Sequence, residues 1–151
     1  MARWGRGEAL VERLLSEGQL QQVQGPAADG EPWLAKARRT HSAAAAVASV
    51  DPDSSFVLAY DAARLACTAL LAQQGLRPTT TGGHRVVDEV LRAQFGDVFR
   101  PYRALRIRRN ELEYPAYPGD SAQEQEADGA LANAAKLIDS AEKLLPNLSL
   151  F

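Results

Sequence analysis

The chain has 151 residues, the usual length of one folding domain, with 46% hydrophobic and 24% charged residues. Alanine and leucine greatly outnumber valine and isoleucine, which favours helices because straight or small side chains lose little freedom in them. The single cysteine excludes an intrachain disulfide and a cysteine-cluster metal site, and only two histidines are present. We therefore expect one all-α domain over residues 1–151, with no metal and no cofactor.

The sequence shows neither the pattern of a transmembrane helix nor that of a signal peptide. There is no uninterrupted run of about 18 apolar residues, which a transmembrane helix needs. The first residues, MARWGRGEALVERLL, lack the apolar core of a signal peptide. The sequence therefore predicts a cytoplasmic protein without a membrane partner.

The formal net charge of −2 hides a strongly polarised chain. Residues 76–110 contain 8 basic and 3 acidic residues, whereas residues 111–151 contain 2 basic and 8 acidic ones. The basic segment ends in RPYRALRIRR, with five arginines and no lysine. Arginine suits bidentate contact with phosphate, so a local anion site is one interpretation. The other is a solvated basic helix face paired with acidic neighbours.

Apolar spacing predicts helices along the whole chain, separated by loops that contain glycine and proline. The predicted helices cover 7–16, 32–49, 56–74, 84–95 and 98–113, and the last runs from a Ser121 cap to Leu145. The segment 76–83 is predicted as a loop, and no strand pattern occurs. The pattern is typical of an antiparallel up-and-down bundle of about five to six helices.

Polar residues mark several of these helix boundaries. The sequence Asp51-Pro52-Asp53-Ser54 predicts a break followed by an N-terminal cap. Asp97 is a candidate cap for the next-to-last helix, and Pro101 is tolerated in its first turn. Ser121 and Glu124 have the spacing of a capping box.

A narrow polar band crosses the predicted helix at 56–74. Asp61, Arg64 and Thr68 lie within one turn of one another, between two apolar faces. One interpretation is an internal Asp61–Arg64 ion pair. The other is that these residues support and orient a site on a neighbouring helix.

The predicted helix at 98–113 places an arginine on its inner face. Arg109 continues the stripe formed by Val98, Tyr102, Leu105 and Leu112. A guanidinium stays charged, so inside a protein it needs a carboxylate, a phosphate or water. Arg106 and Asn110 border the same side. The position predicts either an anion or phosphate site, or an ion-paired arginine at a helix end.

The sequence around this arginine resembles the HEPN-domain family. Arg109 to Tyr114 read RNELEY, which resembles the family signature of an arginine, a polar residue such as asparagine, and a histidine four to six positions after the arginine. The surroundings agree in order: YDAAR at 60–64, then GGH at 82–84, then the arginine motif. The resemblance covers about residues 55–118.

This resemblance implies a helical bundle that forms a homodimer with a positively charged cleft. Many members are metal-independent endoribonucleases that act as toxins or in antiviral defence, often with a nucleotidyltransferase antitoxin. By resemblance, Arg109 holds the scissile phosphate of RNA and stabilises the charge of the transition state, Asn110 is a further catalytic residue, and Tyr114 occupies the position of the motif histidine. Tyrosine, with a usual pKa near 10, can donate a proton, bond a phosphate or stack on a base.

Other residues take subsidiary roles in this hypothesis. Arg103, Arg106, Arg108 and His84 are candidates for RNA binding, and Asp61 and Arg64 for support of the site. Related toxins are modified with adenylate on a tyrosine just beyond the motif, so by resemblance Tyr117 is the modification candidate. The apolar face of the last helix is expected to form the dimer interface, through Leu131, Ala134, Leu137, Ile138 and Leu144.

Three functions remain open from the sequence. The first is a HEPN-type ribonuclease, toxin or defence effector. The second is a catalytically degenerate HEPN module that binds RNA, nucleotide or a partner protein without cleavage. The third is a plain helical dimerisation protein whose arginines serve its interface.

Overall fold

The structure, a computed structural model, describes residues 2–80 and 83–151. It is mostly helical, with five longer helices packed together, a short N-terminal helix and a small two-stranded sheet. Thr81 and Gly82, which belong to the predicted 76–83 loop and the GGH sequence, lie outside the described residues. The helices are α1 (Glu8–Ser16), α2 (Glu31–Val47), α3 (Pro52–Gln73), α4 (Gly83–Phe95), α5 (Arg100–Glu113) and α6 (Glu124–Leu144).

The two short strands correct the expectation of a purely helical fold. Strand β1 (Leu20–Gln22) pairs antiparallel with β2 (Leu76–Pro78), and Gln21 lies opposite Arg77. Leu20 and Leu76 are buried under the sheet. Three-residue strands are too short to show the alternation that identifies a strand in sequence, and their pairing joins distant segments. The predicted loop at 76–83 was therefore wrong over Leu76–Pro78.

The predicted cap before α3 is confirmed. The Asp51 carboxylate accepts hydrogen bonds from the Asp53 backbone N–H at 3.2 Å and the Ser54 hydroxyl at 2.6 Å. The Ser54 hydrogen bond is the main cause that lowers the pKa of Asp51. Because Pro52 is pre-organised for a first helical position, α3 starts four residues earlier than predicted.

The other two predicted caps were wrong. Residues Gly96–Phe99 form a 3-10 turn, so Asp97 lies before α5 and does not cap it. Helix α6 starts at Glu124 after Gln123, without a side-chain cap. The segment before α6 is instead tied to the start of α3, because the Asp53 carboxylate accepts the Ala122 N–H at 2.5 Å. A contact between distant segments, Asp53 with Ala122, is thus present where a local capping box of Ser121 and Glu124 was predicted.

Helix α3 forms the centre of the core. Its buried alanines let α2 and α6 pack closely on it. By length and composition α3 could also cross a membrane, and 72% of its apolar window is buried within the chain. On α6, Ala134, Leu137 and Ile138 are buried in this same core. The face predicted for dimerisation is therefore largely used inside the chain.

A buried pair of glutamines fixes α4 against α3. Gln74 and Gln94 exchange two side-chain hydrogen bonds, of 2.9 and 2.7 Å, and are at most 1% exposed. The Trp4 indole donates to the Gln94 carbonyl at 2.9 Å. Buried amides are tolerated when their hydrogen bonds are satisfied. The pair sets the position of α4, and with it His84 in the first turn of that helix.

Candidate functional site

Three helices meet at the hydroxyl of Tyr60, a buried side chain in the middle of α3. The Tyr60 hydroxyl lies 2.6 Å from His84 Nδ1, on α4, and 3.3 Å from the Tyr102 hydroxyl, on α5. Burial raises the pKa of both phenols, so they stay protonated at neutral pH. Tyr102, Tyr60 and His84 thus form a series of polar contacts that runs from the core to the His84 imidazole at the surface.

Three arginines act electrostatically on Tyr60 and His84, and we call Arg64, Arg106 and Arg109 the arginine cluster. The Arg109 guanidinium lies 5.7 Å from the centre of the Tyr60 ring, and Arg64 is one turn after Tyr60 on α3. All three charges act on His84 and on Tyr60. The fold thus gathers three cations, two of them from α5, around a single histidine.

The arginine cluster is only loosely paired with acidic residues. The closest carboxylate oxygens are those of Asp61 at 3.9 Å from Arg64, Asp88 at 3.7 Å from Arg106, and Glu113 at 3.6 Å from Arg109. These distances exceed those of charge-assisted hydrogen bonds, which are about 2.7–2.9 Å.

Two buried nitrogens of the cluster remain unsatisfied. The Nε atoms of Arg106 and Arg109 are shielded from solvent and have no hydrogen-bond partner among the described residues. Arg109 Nη1 donates to Asn110 Oδ1 at 3.3 Å, an exposed contact. A guanidinium has five donors, and because the Nε atoms are shielded, an anion would bind these partly exposed side chains through their Nη groups.

His84 has the properties of a proton acceptor. Partial burial lowers its pKa first, followed by the charges of Arg64 and Arg109, while Asp61 opposes them. The ring is therefore neutral at pH 7. When Nδ1–H donates to the Tyr60 oxygen, Nε2 carries a free lone pair.

Most of the residues predicted for the site come together here. Arg109, Arg106, Arg64, Asp61 and His84 are grouped around Tyr60, and Asn110 joins through Arg109. From the sequence, Asp61 and Arg64 could also form an internal ion pair, and Arg109 could be an ion-paired arginine at a helix end. The structure has partners for both, since Asp61 lies beside Arg64 and Glu113 beside Arg109. The long distances make these pairs weak.

Arg108 points elsewhere and is fully engaged. It donates to Glu126 at 2.5 Å, to Glu111 at 3.0 Å and to Asp120 at 3.3 Å, and we call these four residues the Arg108 network. These hydrogen bonds, above all the one with Glu126, raise the pKa of Arg108. The network joins α5 to α6 and to the loop between them. The prediction that Arg108 binds RNA finds no support in this geometry.

Arg103, Tyr114 and Tyr117 are not among the described contacts of Tyr60. Arg103 lines a separate pocket at the start of α5. Pro115 turns the backbone at Tyr114 out of helical geometry, with ψ of 68°, and the Tyr114 side chain is 77% exposed. Tyr117 is 61% exposed, and its hydroxyl lies 3.5 Å from Asp120. The Tyr114 phenol makes no hydrogen bond to a described residue.

A cavity of about 240 Å³ opens beside His84. Trp33 of α2 and Pro78 of β2 form apolar parts of its wall, and Arg64 and Thr68 of α3 add polar groups. The Trp33 side chain lies at the protein surface. An aromatic ring next to an arginine and hydroxyl groups suits a flat, polar-edged ligand such as a nucleobase.

Four residues of this region were not predicted as site residues. Tyr102 was expected in the apolar stripe of α5 and Tyr60 only as part of YDAAR, although a buried phenol needs a hydrogen-bond partner, and that requirement was the available signal. Asp88 and Trp33 reach the site through tertiary packing, which has no local pattern. In the part of the chain that the structure describes, no group of three or more metal-ligating side chains occurs.

Comparisons of this chain with protein-family models, with curated proteins and with solved structures found no match. The function is therefore inferred from the chemistry of the site. That chemistry combines loosely paired arginines, a neutral histidine and an adjacent cavity with an aromatic wall.

Proposed function

We propose that the protein is a HEPN-type endoribonuclease in which the arginine cluster binds the scissile phosphate of RNA and His84 moves the proton. The observation that carries the proposal is that His84 and Arg109 contact the same side chain, Tyr60, from two different helices. A proton acceptor and a phosphate-binding cation thus lie within the reach of one ribose and its phosphate. His84 supplies the imidazole that the motif lacks at Tyr114.

The proposed reaction is an internal transfer at phosphorus. His84 Nε2 takes the proton of the ribose 2′-hydroxyl, the 2′-oxygen attacks the adjacent phosphorus, and the bond from phosphorus to the 5′-oxygen breaks. A 2′,3′-cyclic phosphate forms, and the departing 5′-oxygen takes a proton from water or from the His84 imidazolium. Arg106 and Arg109 stabilise the negative charge that grows on the phosphate oxygens.

The cavity beside His84 supports RNA as the substrate class. Trp33 offers a face on which an unpaired base can stack, and the hydroxyl of Thr68 can bond its edge. Base stacking on an aromatic side chain contributes about 1–3 kcal/mol per base. We therefore propose single-stranded RNA as the substrate.

The rest of the HEPN assignment extends this proposal. It includes the up-and-down helical arrangement, a homodimer that joins two sites in one cleft, and a nucleotidyltransferase antitoxin that modifies Tyr117. The exposure of Tyr117 supports the last point, because its hydroxyl is accessible to an enzyme. Light scattering at micromolar concentration tests the dimer, and a monomeric mass would contradict it.

The second candidate is an RNA-binding module that does not cleave. The observation in its favour is the exposed Tyr114 at the motif position, since an unperturbed tyrosine is a poor base near neutral pH. In this function the arginine cluster and Trp33 bind RNA, and His84 adds only a hydrogen bond.

The decisive experiment measures cleavage of a single-stranded RNA of mixed sequence by the purified protein in EDTA. We expect Arg109→Ala and His84→Asn each to lower the rate about 100-fold or more, the scale seen when a group that stabilises transition-state charge is removed. Arg39→Ala is the matched control, because Arg39 is an exposed arginine of α2 outside the site.

The outcomes separate the candidates. Cleavage that is unchanged in both Arg109→Ala and His84→Asn contradicts the proposed site. Binding of RNA by the wild type without cleavage, lost in Arg109→Ala, favours the second candidate. Absence of both binding and cleavage in the wild type leaves the dimerisation function.

A further inference from the structure

A second basic pocket lies at the turn between α4 and α5. It has a volume of about 210 Å³ and is lined by Arg92, Gly96, Asp97, Arg100 and Arg103. A fourth arginine lies next to the lining residue Gly96, since Arg6 Nη2 is 2.8 Å from the place where a side chain on Gly96 would begin. The volume equals that of roughly seven water molecules in the liquid. We call Arg6, Arg92, Arg100 and Arg103 the four-arginine pocket.

These four arginines lack the acidic partners that most arginines of this protein have. Eight of the fourteen arginines have a carboxylate oxygen within 4.0 Å. Of the other six, all within the described residues, three line this pocket and a fourth, Arg6, lies beside its Gly96. Asp97 is the one acidic side chain in its lining. Four like charges around one cavity repel one another, and a bound polyanion would relieve that repulsion.

The helix that contributes two of these arginines supplies an independent argument. Arg100 and Arg103 lie in or next to the first turn of α5, which contains no acidic residue. The N-terminal end of a helix carries a partial positive charge, so acidic groups are favoured there and basic groups are not. Arg100 and Arg103 thus add positive charge to the end of α5 that already has a partial positive charge. A ligand with negative charge would compensate the charges of the arginines and of the helix end.

We propose that the four-arginine pocket binds an oligophosphate group, the diphosphate or triphosphate of a free nucleotide or of an RNA 5′ end. Four guanidiniums match several negative charges better than the one or two of a single phosphate. The cavity volume also exceeds the space that a single small ion needs. Gly96 has a φ of +66°, which glycine adopts readily, and its lack of a side chain leaves room for the Arg6 guanidinium.

The pocket is separate from the arginine cluster, and the proposal stands without the proposed ribonuclease activity. Arg92 lies one helical turn after Asp88 on α4, and Arg103 lies one turn before Arg106 on α5. The four-arginine pocket is therefore about one turn, or roughly 5.4 Å along the helices, from the Asp88–Arg106 pair. An oligophosphate bound there would lie beside the proposed cleavage site and outside it.

Isothermal titration with inorganic tripolyphosphate, at fixed ionic strength, tests the pocket. We expect saturable binding at least tenfold tighter than that of inorganic phosphate. The double variant Arg92→Gln/Arg103→Gln should weaken it tenfold or more, and should melt no lower than the wild type because repelling charges are removed. The charge-matched control is Arg13→Gln/Arg39→Gln, two exposed arginines elsewhere, which should bind like the wild type.

Two results would overturn the proposal at this stage. One is tripolyphosphate binding no tighter than phosphate binding. The other is equal binding by the Arg92→Gln/Arg103→Gln variant and the wild type, which would place the anion elsewhere.

Competition then identifies the source of the oligophosphate. Displacement of tripolyphosphate by ATP or GTP supports a free nucleotide, and displacement by 5′-triphosphate RNA but not by the same RNA with a 5′-hydroxyl supports an RNA end. Equal displacement by the two RNAs would overturn the proposal, because it indicates a site for the RNA backbone. RNA cleavage by the single variant Arg92→Gln is expected to persist on 5′-hydroxyl RNA, which separates this proposal from the ribonuclease.

Discussion

Arg108 and Arg109 are neighbours in the sequence and have equally exposed side chains, 23% each, yet their surroundings differ completely. Arg108 donates hydrogen bonds to three carboxylates, the shortest of 2.5 Å. Arg109 has one carboxylate at 3.6 Å, and its buried Nε has no partner within the described part of the chain. The comparison shows that exposure alone does not distinguish an arginine with several short hydrogen bonds to carboxylates from one that is only loosely paired.

The difference follows from the direction in which each side chain leaves α5. Successive residues of a helix point about 100° apart. Arg108 therefore faces α6 and the loop before it, which belong to the acidic segment 111–151. Arg109 faces Tyr60 on α3, in a region with other arginines. On the side of α5 that faces α6, Arg108 is neutralised by acidic residues. On the side that faces α3, Arg109 is only loosely paired.

The largest effect on stability is expected from Arg108→Leu. This change leaves Asp120, Glu126 and Glu111 without their shared cation, and Asp120 is only 13% exposed. Because the network is partly exposed, we expect a loss of about 2 kcal/mol, below the range for fully buried pairs. At this chain length that lowers Tm by about 4–8 °C. Thermal unfolding followed by circular dichroism measures it, and an unchanged Tm would contradict the stabilising role of the network.

Arg109→Leu should change stability much less. The variant removes a half-buried charge with weak pairing and extends the apolar stripe of α5, so we expect Tm within about 2 °C of the wild type or slightly higher. The same unfolding measurement applies, with Arg108→Leu as the matched variant. A fall in Tm as large as that of Arg108→Leu would instead identify Arg109–Glu113 as a structural ion pair.

The surroundings of Arg109 were easier to predict from the sequence than those of Arg108. The stripe on α5 predicted that Arg109 points inward, and the polar band on α3 predicted Asp61 and Arg64 nearby. Periodicity reports which face of a helix a residue occupies, so these positions were within its reach. It does not report what lies opposite. Two of the three acidic partners of Arg108, Asp120 and Glu126, come from 12 and 18 residues further along the chain, across a proline-containing loop.

For the same reason, local sequence patterns predicted neither the surroundings of His84 nor the β1–β2 pairing. His84 was predicted as an RNA-binding residue, but its hydrogen bond to Tyr60 depends on how α4 packs on α3. The buried Gln74–Gln94 pair that helps to fix this packing has no local signature. The helices themselves were predictable because each has its own apolar period and breakers. The β1–β2 pairing was not, because it joins two three-residue segments through tertiary structure.

The titration of His84 provides a subtler test of the arginine cluster. Its pKa should lie below 6.5, and Arg109→Leu should raise it, because removal of a nearby cation makes protonation easier. Two-dimensional NMR measures this directly, since His84 and His41 are the two histidines of the chain. A His84 pKa that does not respond to Arg109→Leu would place Arg109 outside the site.

The same shift predicts a small pH dependence of stability. A histidine with a lowered pKa binds fewer protons when folded than when unfolded. Its contribution is therefore fully present above pH 6.5 and is lost as the pH falls from 6.5 through the folded pKa. We expect the stability of wild type to fall more steeply over this window than that of His84→Gln, as measured by urea unfolding at several pH values. Parallel curves would contradict the shift.

The smallest effect is expected at Tyr114. Because His84 is the proposed proton acceptor and the Tyr114 phenol is exposed, Tyr114→Phe should cleave RNA within about twofold of the wild type. Tyr114→His restores the motif residue and should retain or increase cleavage. A loss of cleavage in Tyr114→Phe would assign the phenol hydroxyl a catalytic role, as the motif position implies.

The most direct test of the contrast between the two arginines is RNA binding by Arg109→Leu and Arg108→Leu under the same conditions. Fluorescence anisotropy with a labelled single-stranded RNA, at a temperature where both variants are folded and at fixed salt, gives the two values of Kd. We predict that Arg109→Leu raises Kd about tenfold or more, whereas Arg108→Leu binds within about twofold of the wild type, because a hydrogen-bonded charge pair with phosphate is worth about 1.5–3 kcal/mol. Equal Kd values for the two variants would contradict the account.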